Sequence, residues 1–376
     1  MKRFGSLTVG LQVGTQPPLS ALRAFLLGAR MMRLDSVMVI DHFQNIFPTA
    51  IWDRELTWLA AQRSTPNEFF DYQVLLGHLA TRVGPMRLGV GVTEPIRRHP
   101  LVIAQAMMTL SHLTKRAPIL GIGAGERMNI DPYGLDPSDP VGRLDEALQI
   151  IRACFHGSGP ITFSGKHYQL EHAAMDLKPA SGRAPQIWVA GHGPRMLDLT
   201  GRYGDGWYPT AVASPEEYAA KLESVRIAAR NAGRDPHAVT PALHRFMVVG
   251  RSEPEVRAIL GTKVIRAFGL MAPAELWRQT GVTHPFGEHF NPLVDFVPDH
   301  YDRRTMDDAI AAVPTEVLTE GPLLWGTPDQ VVAKLARFRA AGLRHVVLAP
   351  VSGLASRRAA LYGLRATGGI ARALGR

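Results

Sequence analysis

Short apolar segments alternate with longer amphipathic segments along almost the whole chain. A strand-like run over residues 7–13 is followed by a helical pattern over 19–32 and by a second strand-like run over 36–40. Short apolar runs between turn residues are typical of buried strands, and long periodic segments are typical of helices. The chain therefore opens with a βαβ unit, which indicates a parallel sheet covered by helices.

The alternation continues far into the C-terminal half. Further strands are predicted at residues 86–92, 118–123, 186–190, 205–208, 242–249 and 345–350. Helices are predicted at residues 100–113, 141–155, 194–203, 215–232 and 327–341. Eight strands with helices between them indicate an α/β fold, specifically a closed (β/α)8 TIM barrel. A chain of 376 residues accommodates such a barrel with insertions, so we predict a single barrel domain over 1–376.

Three segments are too long for ordinary barrel connections, so we predict them to be insertions. They span residues 43–70, 159–170 and 251–323. The second has the pattern of a small hairpin. The third is rich in His, Asp, Phe and Pro, and we expect it to be either a lid over the substrate or a purely structural cap.

Composition excludes several classes of protein. The formal net charge is +9, but the arginines are scattered without a nucleic-acid-binding motif, so no nucleic-acid partner is expected. No apolar run reaches the length of a transmembrane segment. The one cysteine, Cys154, leaves no disulfide framework and predicts a cytoplasmic setting. We expect a solvated basic tail at the C-terminus, and contact with acidic lipids or a partner is the alternative; the segment contains Arg357, Arg358, Arg365, Arg372 and Arg376.

Polar side chains follow the predicted strands at their carboxyl ends, where parallel barrels build their ligand sites. Asp41 and His42 end the second strand, and an acid can hold a neighbouring imidazole in one tautomer for acid–base work. The alternative is a buried pair that only closes the strand. Glu126 ends the fourth strand and is a candidate for proton donation or for pairing with an arginine. The glycines at 121, 123 and 125 open no helix, so a Rossmann unit is not expected.

Glycines mark two further candidate sites. Gly89 and Gly91 lie inside the third strand, which indicates either close approach of a flat ligand or plain packing between strands. The run Gly-His-Gly-Pro-Arg at 191–195 precedes a predicted helix, whose first N–H groups suit a phosphate. The alternative there is a simple glycine turn. No pair of ligands has zinc-like spacing, so no metal site is predicted.

Several of these runs together resemble the bacterial luciferase-like superfamily, especially its branch of deazaflavin-dependent oxidoreductases. The resemblance covers nearly the whole chain. The runs that carry it are Asp41-His42-Phe43, Gly91-Val92-Thr93, Gly121 to Glu126, and Gly193 through Trp207. It implies an oxidoreductase that transfers a hydride between coenzyme F420 and a carbonyl or secondary-alcohol substrate. It also implies a homodimer.

The resemblance implies a role for individual residues as well. His42, oriented by Asp41, and Glu126 occupy the catalytic acid–base positions. The Gly91–Val92 bond is expected to be a non-prolyl cis peptide that backs the deazaflavin ring. The cofactor-binding residues that it implies are Asp41, Gly91, Val92, Thr93, Gly125, Gly191, His192, Gly193 and Arg195.

The substrate and cofactor leave alternatives open. Lys263 and Arg266 cannot be matched to the basic residues that bind sugar phosphate in one member of the branch, so sugar phosphate is not expected. An apolar carbonyl or alcohol, such as a lipid ketone, is favoured by the third insertion, with Phe268, Leu270, Met271, Phe286, Phe290 and Phe296. One alternative is an FMN-dependent two-component monooxygenase on the same barrel. The other is a non-catalytic protein that binds a deazaflavin or flavin.

Overall fold

The computed structural model describes residues 6–210 and 212–375. Parallel strands form its centre, and one antiparallel pair lies outside it. The strands of the described residues are β1 (Thr8–Val13), β2 (Ser36–Val39), β3 (Arg87–Thr93), β4 (Ile119–Ile122), β5 (Ile161–Ser164), β6 (Gln169–Ala173), β7 (Gln186–Val189), β8 (Gly206–Trp207), β9 (Thr240–Val249), β10 (Leu323–Gly326) and β11 (His345–Ala349).

Eight of the parallel strands close into a barrel. Their order is β1, β2, β3, β4, β7, β8, β9 and β11, and β11 pairs with β1 to complete the ring. The predicted barrel is therefore confirmed, and each predicted strand overlaps one of these eight. The carboxyl ends of all eight strands meet at one mouth of the barrel.

β10 is a parallel strand that the sequence pattern did not reveal. It pairs with the second half of β9, where Leu323 lies opposite Phe246. The strand has only four residues and directly precedes a helix, so it does not repeat the βαβ rhythm from which the other strands were predicted.

Helices surround the barrel, and several begin with a proline whose fixed φ and missing N–H suit the first helical position. The helices of the described residues are α1 (Leu19–Met31), α2 (Tyr72–Ala80), α3 (Pro100–Leu113), α4 (Pro140–His156), α5 (Pro194–Tyr203), α6 (Pro215–Asn231), α7 (Glu253–Leu260), α8 (Lys263–Arg266), α9 (Ala274–Gln279), α10 (Pro292–Asp295), α11 (Arg303–Ala312), α12 (Thr315–Glu320), α13 (Pro328–Ala340) and α14 (Arg357–Leu374). Within the described residues, none of these helices has the length and apolar character needed to cross a membrane.

The C-terminal segment is a packed helix, so the expectation of a solvated tail is wrong. Small and apolar side chains of α14 are buried at helical spacing, among them Ala359, Ala366 and Ile370. These residues lie between the arginines in the sequence. The basic composition of the segment therefore obscured the apolar stripe that the helix buries. Arg376, the last of the predicted tail arginines, lies outside the described residues.

Apolar side chains form three clusters. The barrel interior is filled by Met38, Ile119, Trp188, Tyr208, Ala242 and Val347. A larger cluster lies between the strands and the surrounding helices. The third cluster joins residues of 43–70 to residues of 251–323, for example where the Phe47 ring lies 5.8 Å from the Phe268 ring. Residues 43–70 and 251–323 therefore share one apolar core.

Asp299 connects residues 251–323 to residues 43–70 through hydrogen bonds. One carboxylate oxygen accepts from the backbone N–H of Thr49 at 2.6 Å. The other accepts from Gln44 Nε2 at 2.8 Å and from Asn67 Nδ2 at 3.1 Å. Residues 251–323 are mainly helical, from α7 to α12, and 159–170 contains β5 and the start of the antiparallel strand β6.

Candidate active site

His42 and Glu126 come together at the mouth of the barrel. His42 lies beyond β2 and Glu126 beyond β4, and His42 Nε2 is 3.7 Å from Glu126 Oε2. His42 Nδ1 is 3.0 Å from the carbonyl oxygen of Gln44. Because a carbonyl only accepts, Nδ1 carries a hydrogen and donates it. Nε2 is therefore the nitrogen that is free to take up or release a proton, and it faces the carboxylate.

Asn129 fixes both members of this pair. Its side-chain oxygen accepts from the backbone N–H groups of Phe43 at 2.7 Å and Gln44 at 3.0 Å. Its amide nitrogen lies 3.5 Å from Glu126 Oε2. Asn129 is 3% exposed, and its hydrogen bond to the Gln44 N–H is buried. One buried amide thus ties the loop of His42 to the carboxylate that faces it.

Gly125 determines where Glu126 emerges from the barrel. Its φ is +100°, a region that residues with a Cβ rarely adopt. A Cβ at this position would also stand 2.7 Å from Ile130 Cδ1. Glycine is therefore required for the turn that directs Glu126 toward His42.

Asp41 does not orient His42, so that part of the sequence prediction is corrected. Its carboxylate accepts from Thr93 Oγ1 at 2.7 Å, from Arg97 Nη2 at 3.0 Å and from Arg98 Nη1 at 2.9 Å. Arg97 Nη2 also donates to the Asp41 carbonyl oxygen at 2.9 Å. The imidazole is held by Gln44, and Asp41 instead joins the ends of β2 and β3 in a buried ion cluster.

The arginines of this cluster were missed as site residues. Arg97 is also paired with Glu94 at 2.5 Å, and both side chains are almost fully buried. Arg98 reaches Asp71 at 2.6 Å. The signal in the sequence was a pair of adjacent arginines shortly after β3, together with an acid, Asp41, just after the neighbouring strand β2. Opposite charges buried together are strongly coupled, because removing one leaves the other unpaired.

The end of β3 is irregular, as expected. The Gly91–Val92 peptide is cis, which confirms the predicted position of this bond. The pairing of β3 with β4 shifts register between Val90 and Thr93. A Cβ at Gly91 would lie 3.1 Å from the Tyr208 ring and hydroxyl. Gly91 thus lets the strand pass close to the side chains that fill the barrel.

Helix α5 begins at the predicted phosphate turn. Gly193 is its N-cap, and no side chain in the described part of the chain caps its first N–H groups. His192 is half-buried, and burial lowers the pKa of its imidazole to about 4, so the ring is neutral near pH 7. Arg195 points outward with a 70% exposed side chain, 3.8 Å from Asp139. The backbone of the turn, more than the Arg195 side chain, is suited to an anion.

Polar atoms without partners lie inside the barrel and were not predicted. Within the described residues, the Tyr208 hydroxyl, the Trp188 ring nitrogen and His244 Nε2 are buried without a hydrogen-bond partner. Burial raises the pKa of Tyr208 and lowers that of His244 to about 3. Side chains alternate between the two faces of a strand, and these ones point into the barrel. The sequence pattern located the strands but did not identify this polar interior.

Several other candidate residues have structural partners. Lys263 pairs with Asp307 at 2.8 Å, and Arg266 donates to backbone carbonyls, including that of Val313 at 2.8 Å. His284 stacks on Phe290 at 4.3 Å between ring centroids. These groups hold the third insertion together.

The aromatic residues of the third insertion also pack mainly on one another. The Phe286 ring is stacked on Phe296 at 5.8 Å and on Tyr301 at 4.3 Å. Phe290 and Phe296 are 5% and 1% exposed. Their apolar character is explained by this core, so it is no independent evidence of an apolar substrate.

A sequence model for luciferase-like monooxygenases matches residues 4–345. The chain belongs to this family. The match extends over almost the whole barrel, including His42, Glu126 and the turn before α5. The family predicted from the sequence runs is thereby confirmed.

Members of the family with curated names include reductases. The phthiodiolone/phenolphthiodiolone dimycocerosates ketoreductase of Mycobacterium tuberculosis is 41% identical over 336 residues, which cover 88% of each chain. The 5,10-methylenetetrahydromethanopterin reductase of Archaeoglobus fulgidus is 24% identical over 294 residues, which cover 78% of this chain and 84% of that protein. The chain is accordingly an enzyme of the oxidoreductase class.

A solved structure confirms the fold. The F420-dependent secondary alcohol dehydrogenase in complex with an F420–acetone adduct superposes with a TM-score of 0.75 at 20% identity, covering 98% of this chain and 99% of that one. At this identity the likeness establishes the luciferase-like barrel and no finer property.

Proposed function

We propose that this protein is a coenzyme F420-dependent ketoreductase, which transfers a hydride between the cofactor and the carbonyl carbon of an apolar substrate. The observation that carries the proposal is the His42–Glu126 pair at the barrel mouth, with Nε2 and the carboxylate 3.7 Å apart. The 41% identity to a protein named as a ketoreductase supports the reaction class. In the reverse direction the same site oxidises a secondary alcohol.

The residues present fit coenzyme F420. We assign its flat ring to the β3 bulge at Gly91 and Val92, where glycine removes a side chain that would meet Tyr208. We assign its phosphate to the uncapped start of α5 at Gly191, His192 and Gly193, because helix N-termini bind anions through free N–H groups. When bound, the cofactor supplies the hydride.

We assign proton transfer to His42. With Nδ1–H donated to Gln44, the ring exchanges protons only through Nε2. A protonated Nε2 donates to the substrate oxygen while the Glu126 carboxylate stabilises the positive ring. General acid catalysis of this kind contributes about 10²–10⁴-fold. In this scheme Asp41 and Thr93 hold the ends of β2 and β3 in place beside the cofactor ring.

An apolar substrate is supported by the surface beside the pair. The rings of Phe43 and Tyr133 lie 4.8 Å apart, and the two residues are 41% and 43% exposed. Exposed aromatic side chains at a site opening suit an apolar ligand. We propose a lipid ketone, the class that the name of the mycobacterial relative suggests, with residues 251–323 as its covering lid.

Assembly and location extend the proposal. We infer a homodimer through the outer face of α2 and α3, where the exposed side chains of Val102 and Leu113 line a groove of about 250 Å³ and Val74 of α2 is exposed as well. Apolar patches of this kind favour association. Cytoplasmic location stays a prediction that rests on the single cysteine, Cys154, which is buried and unpaired.

An anaerobic assay tests the proposed reaction. The purified protein is mixed with reduced F420 and a panel of long-chain ketones, and the absorbance of oxidised F420 is followed. The proposal expects cofactor oxidation that depends on the ketone, with one alcohol formed per cofactor oxidised. Binding of F420 without oxidation over the whole panel contradicts it and favours a non-catalytic binding protein.

A parallel assay tests the alternative of an FMN-dependent monooxygenase, the activity for which the family is named. The same protein is titrated with reduced FMN and oxygen, and oxygen uptake is measured with and without substrate. The proposal expects weak FMN binding and no substrate-dependent uptake. Tight FMN binding with coupled uptake overturns the choice of cofactor.

A further inference from the structure

The barrel has a second cavity on its outer side, lined by no residue of the candidate active site. It has a volume of about 380 Å³ and lies between the start of α6 and the helices α9, α12 and α13. Successive side chains of β9 point alternately into the barrel interior and toward its outer side, where this cavity lies. His244 lies near Tyr208 in the barrel interior, with ring centroids 6.1 Å apart, whereas Arg245 faces outward to Phe338 of α13. We call this space the outer cavity.

A buried guanidinium that forms no ion pair with any described residue lines the outer cavity. Arg245 is 5% exposed, and its Nε has no hydrogen-bond partner among the described residues. Its Nη1 makes only a long contact of 3.5 Å to the carbonyl oxygen of Gly321. Buried charges are normally paired, because an unpaired one is costly in a medium of low polarity.

Two further basic groups line the same cavity. Lys334 Nζ donates to the Trp325 carbonyl oxygen at 2.9 Å and lies 3.5 Å from the centre of the Trp325 ring. Arg337 stands one helical turn further along α13 and is exposed. None of Arg245, Lys334 and Arg337 forms an ion pair with a carboxylate within 4 Å in residues 6–210 and 212–375. Among the described residues, three cationic side chains therefore line the cavity without a carboxylate at ion-pair distance.

The acidic groups nearby neutralise this charge only in part. Glu216, an exposed acid, interacts with the charge of Arg337 at longer range. Glu320 belongs to the lining but is exposed to solvent. Glu217 attracts Arg245 at longer range, yet its own carboxylate is bound to Lys221 at 2.6 Å. Burial together with the charge of Arg245 lowers the pKa of Lys334 to about 8, and burial lowers the pKa of Arg245 to about 10. An anion placed between these groups relieves both effects.

We propose that the outer cavity binds an amphiphilic organic anion. Its phosphate or carboxylate head lies on Arg245 and Arg337, and its apolar part lies on Leu276 and Phe338. A guanidinium matches the oxygens of both head groups. The volume falls in the range of small-molecule sites and exceeds what a bare inorganic anion fills.

Calorimetric titration of the full-length protein tests this site. The probes are octyl phosphate, octanoate and inorganic phosphate, and the first two distinguish the head groups. Arg245→Met removes the buried charge at similar length, and Arg337→Gln is a surface change that leaves folding intact. Arg304→Gln, at a 92% exposed side chain on α11, is the control. His42→Ala separates the site from catalysis.

The proposal expects saturable binding of one octyl probe at one site per chain, weaker binding of inorganic phosphate, and at least a tenfold loss of affinity in R245M and R337Q. R304Q and H42A bind as the wild type does, whether or not the ketoreductase reaction is found. No saturable binding of either octyl probe overturns the proposal. Binding that R337Q and R245M leave unchanged overturns it as well.

Discussion

At the scale of single residues, the candidate site depends on groups that touch His42 and Glu126 without being acids or bases themselves. Asn129 is the clearest example, because its amide oxygen accepts from two backbone N–H groups and its amide nitrogen approaches the Glu126 carboxylate. The roles of its two ends differ. The oxygen fixes the loop of His42, and the nitrogen contacts the carboxylate.

Substitution of Asn129 separates these two roles. Asn129→Ala leaves two backbone donors unsatisfied, at a cost of about 1–3 kcal/mol each, so both Tm and kcat are expected to fall. Asn129→Asp keeps the acceptor but places a second carboxylate against Glu126. We expect near-normal Tm and reduced kcat in that variant, measured by thermal unfolding and by the ketone assay. Equal losses of Tm in the two variants contradict the account.

Asp41 is expected to affect the stability of the fold more than it affects catalysis. Asp41→Asn removes a charge that faces Arg97 and Arg98 in a buried cluster, and breaking such a pair costs about 3–5 kcal/mol. Asp198→Asn, an exposed acid 3.5 Å from Arg202, is the control and is expected to change stability by less than about 1 kcal/mol. Urea unfolding of the two variants measures the difference. A normal free energy of unfolding for the Asp41 variant refutes the anchoring role.

At the scale of elements, the fold was predictable and part of the site was not. The barrel strands follow from apolar runs alone, and α3 and α5 begin and end where the sequence predicts. The orientation of Asp41 was not predictable, because it depends on Arg97 and Arg98 folding back from beyond β3. Asn129 lies in a short 3₁₀ helix with no periodic signal. Contacts between loops of different strands leave no local pattern in a sequence.

The turn after β4 offers an element-scale test. Gly125 and Gly134 both have positive φ, but a Cβ would meet Ile130 at the first and nothing within 4 Å at the second. Ala at either position costs about 1–2 kcal/mol of backbone energy. Gly125→Ala is expected to displace Glu126 as well and to lower kcat by more than tenfold. Gly134→Ala should keep kcat within about twofold; equal kcat in the two variants, measured at a temperature where both are folded, contradicts the assignment.

At the scale of the whole molecule, buried imidazoles predict how stability depends on pH. Burial lowers the pKa to about 4 in His192, His284 and His345, and to about 3 in His244, from an ordinary value of 6.5. Between these values the unfolded chain binds more protons than the folded one, so stability falls as pH decreases from about 6.5 toward 4. Their neutral forms contribute fully only above about pH 6.5.

Thermal unfolding at pH 7.5, 6 and 5 measures this dependence. We expect Tm to fall over the series in the wild type. His345→Gln removes one fully buried imidazole and should reduce the loss between pH 7.5 and 5, whereas His237→Gln, at an exposed site, should leave it unchanged. A Tm that is constant from pH 7.5 to 5 contradicts the prediction.

In the proposed reaction, His42 transfers a proton through Nε2 to the substrate oxygen beside the bound deazaflavin. The most direct test compares His42→Ala with the wild type in ketone-dependent oxidation of reduced F420, with cofactor affinity measured in parallel by fluorescence quenching. We predict that kcat falls by about 10²–10⁴-fold while the Kd for F420 stays within about twofold. Wild-type turnover in His42→Ala, with the cofactor bound, would contradict the account.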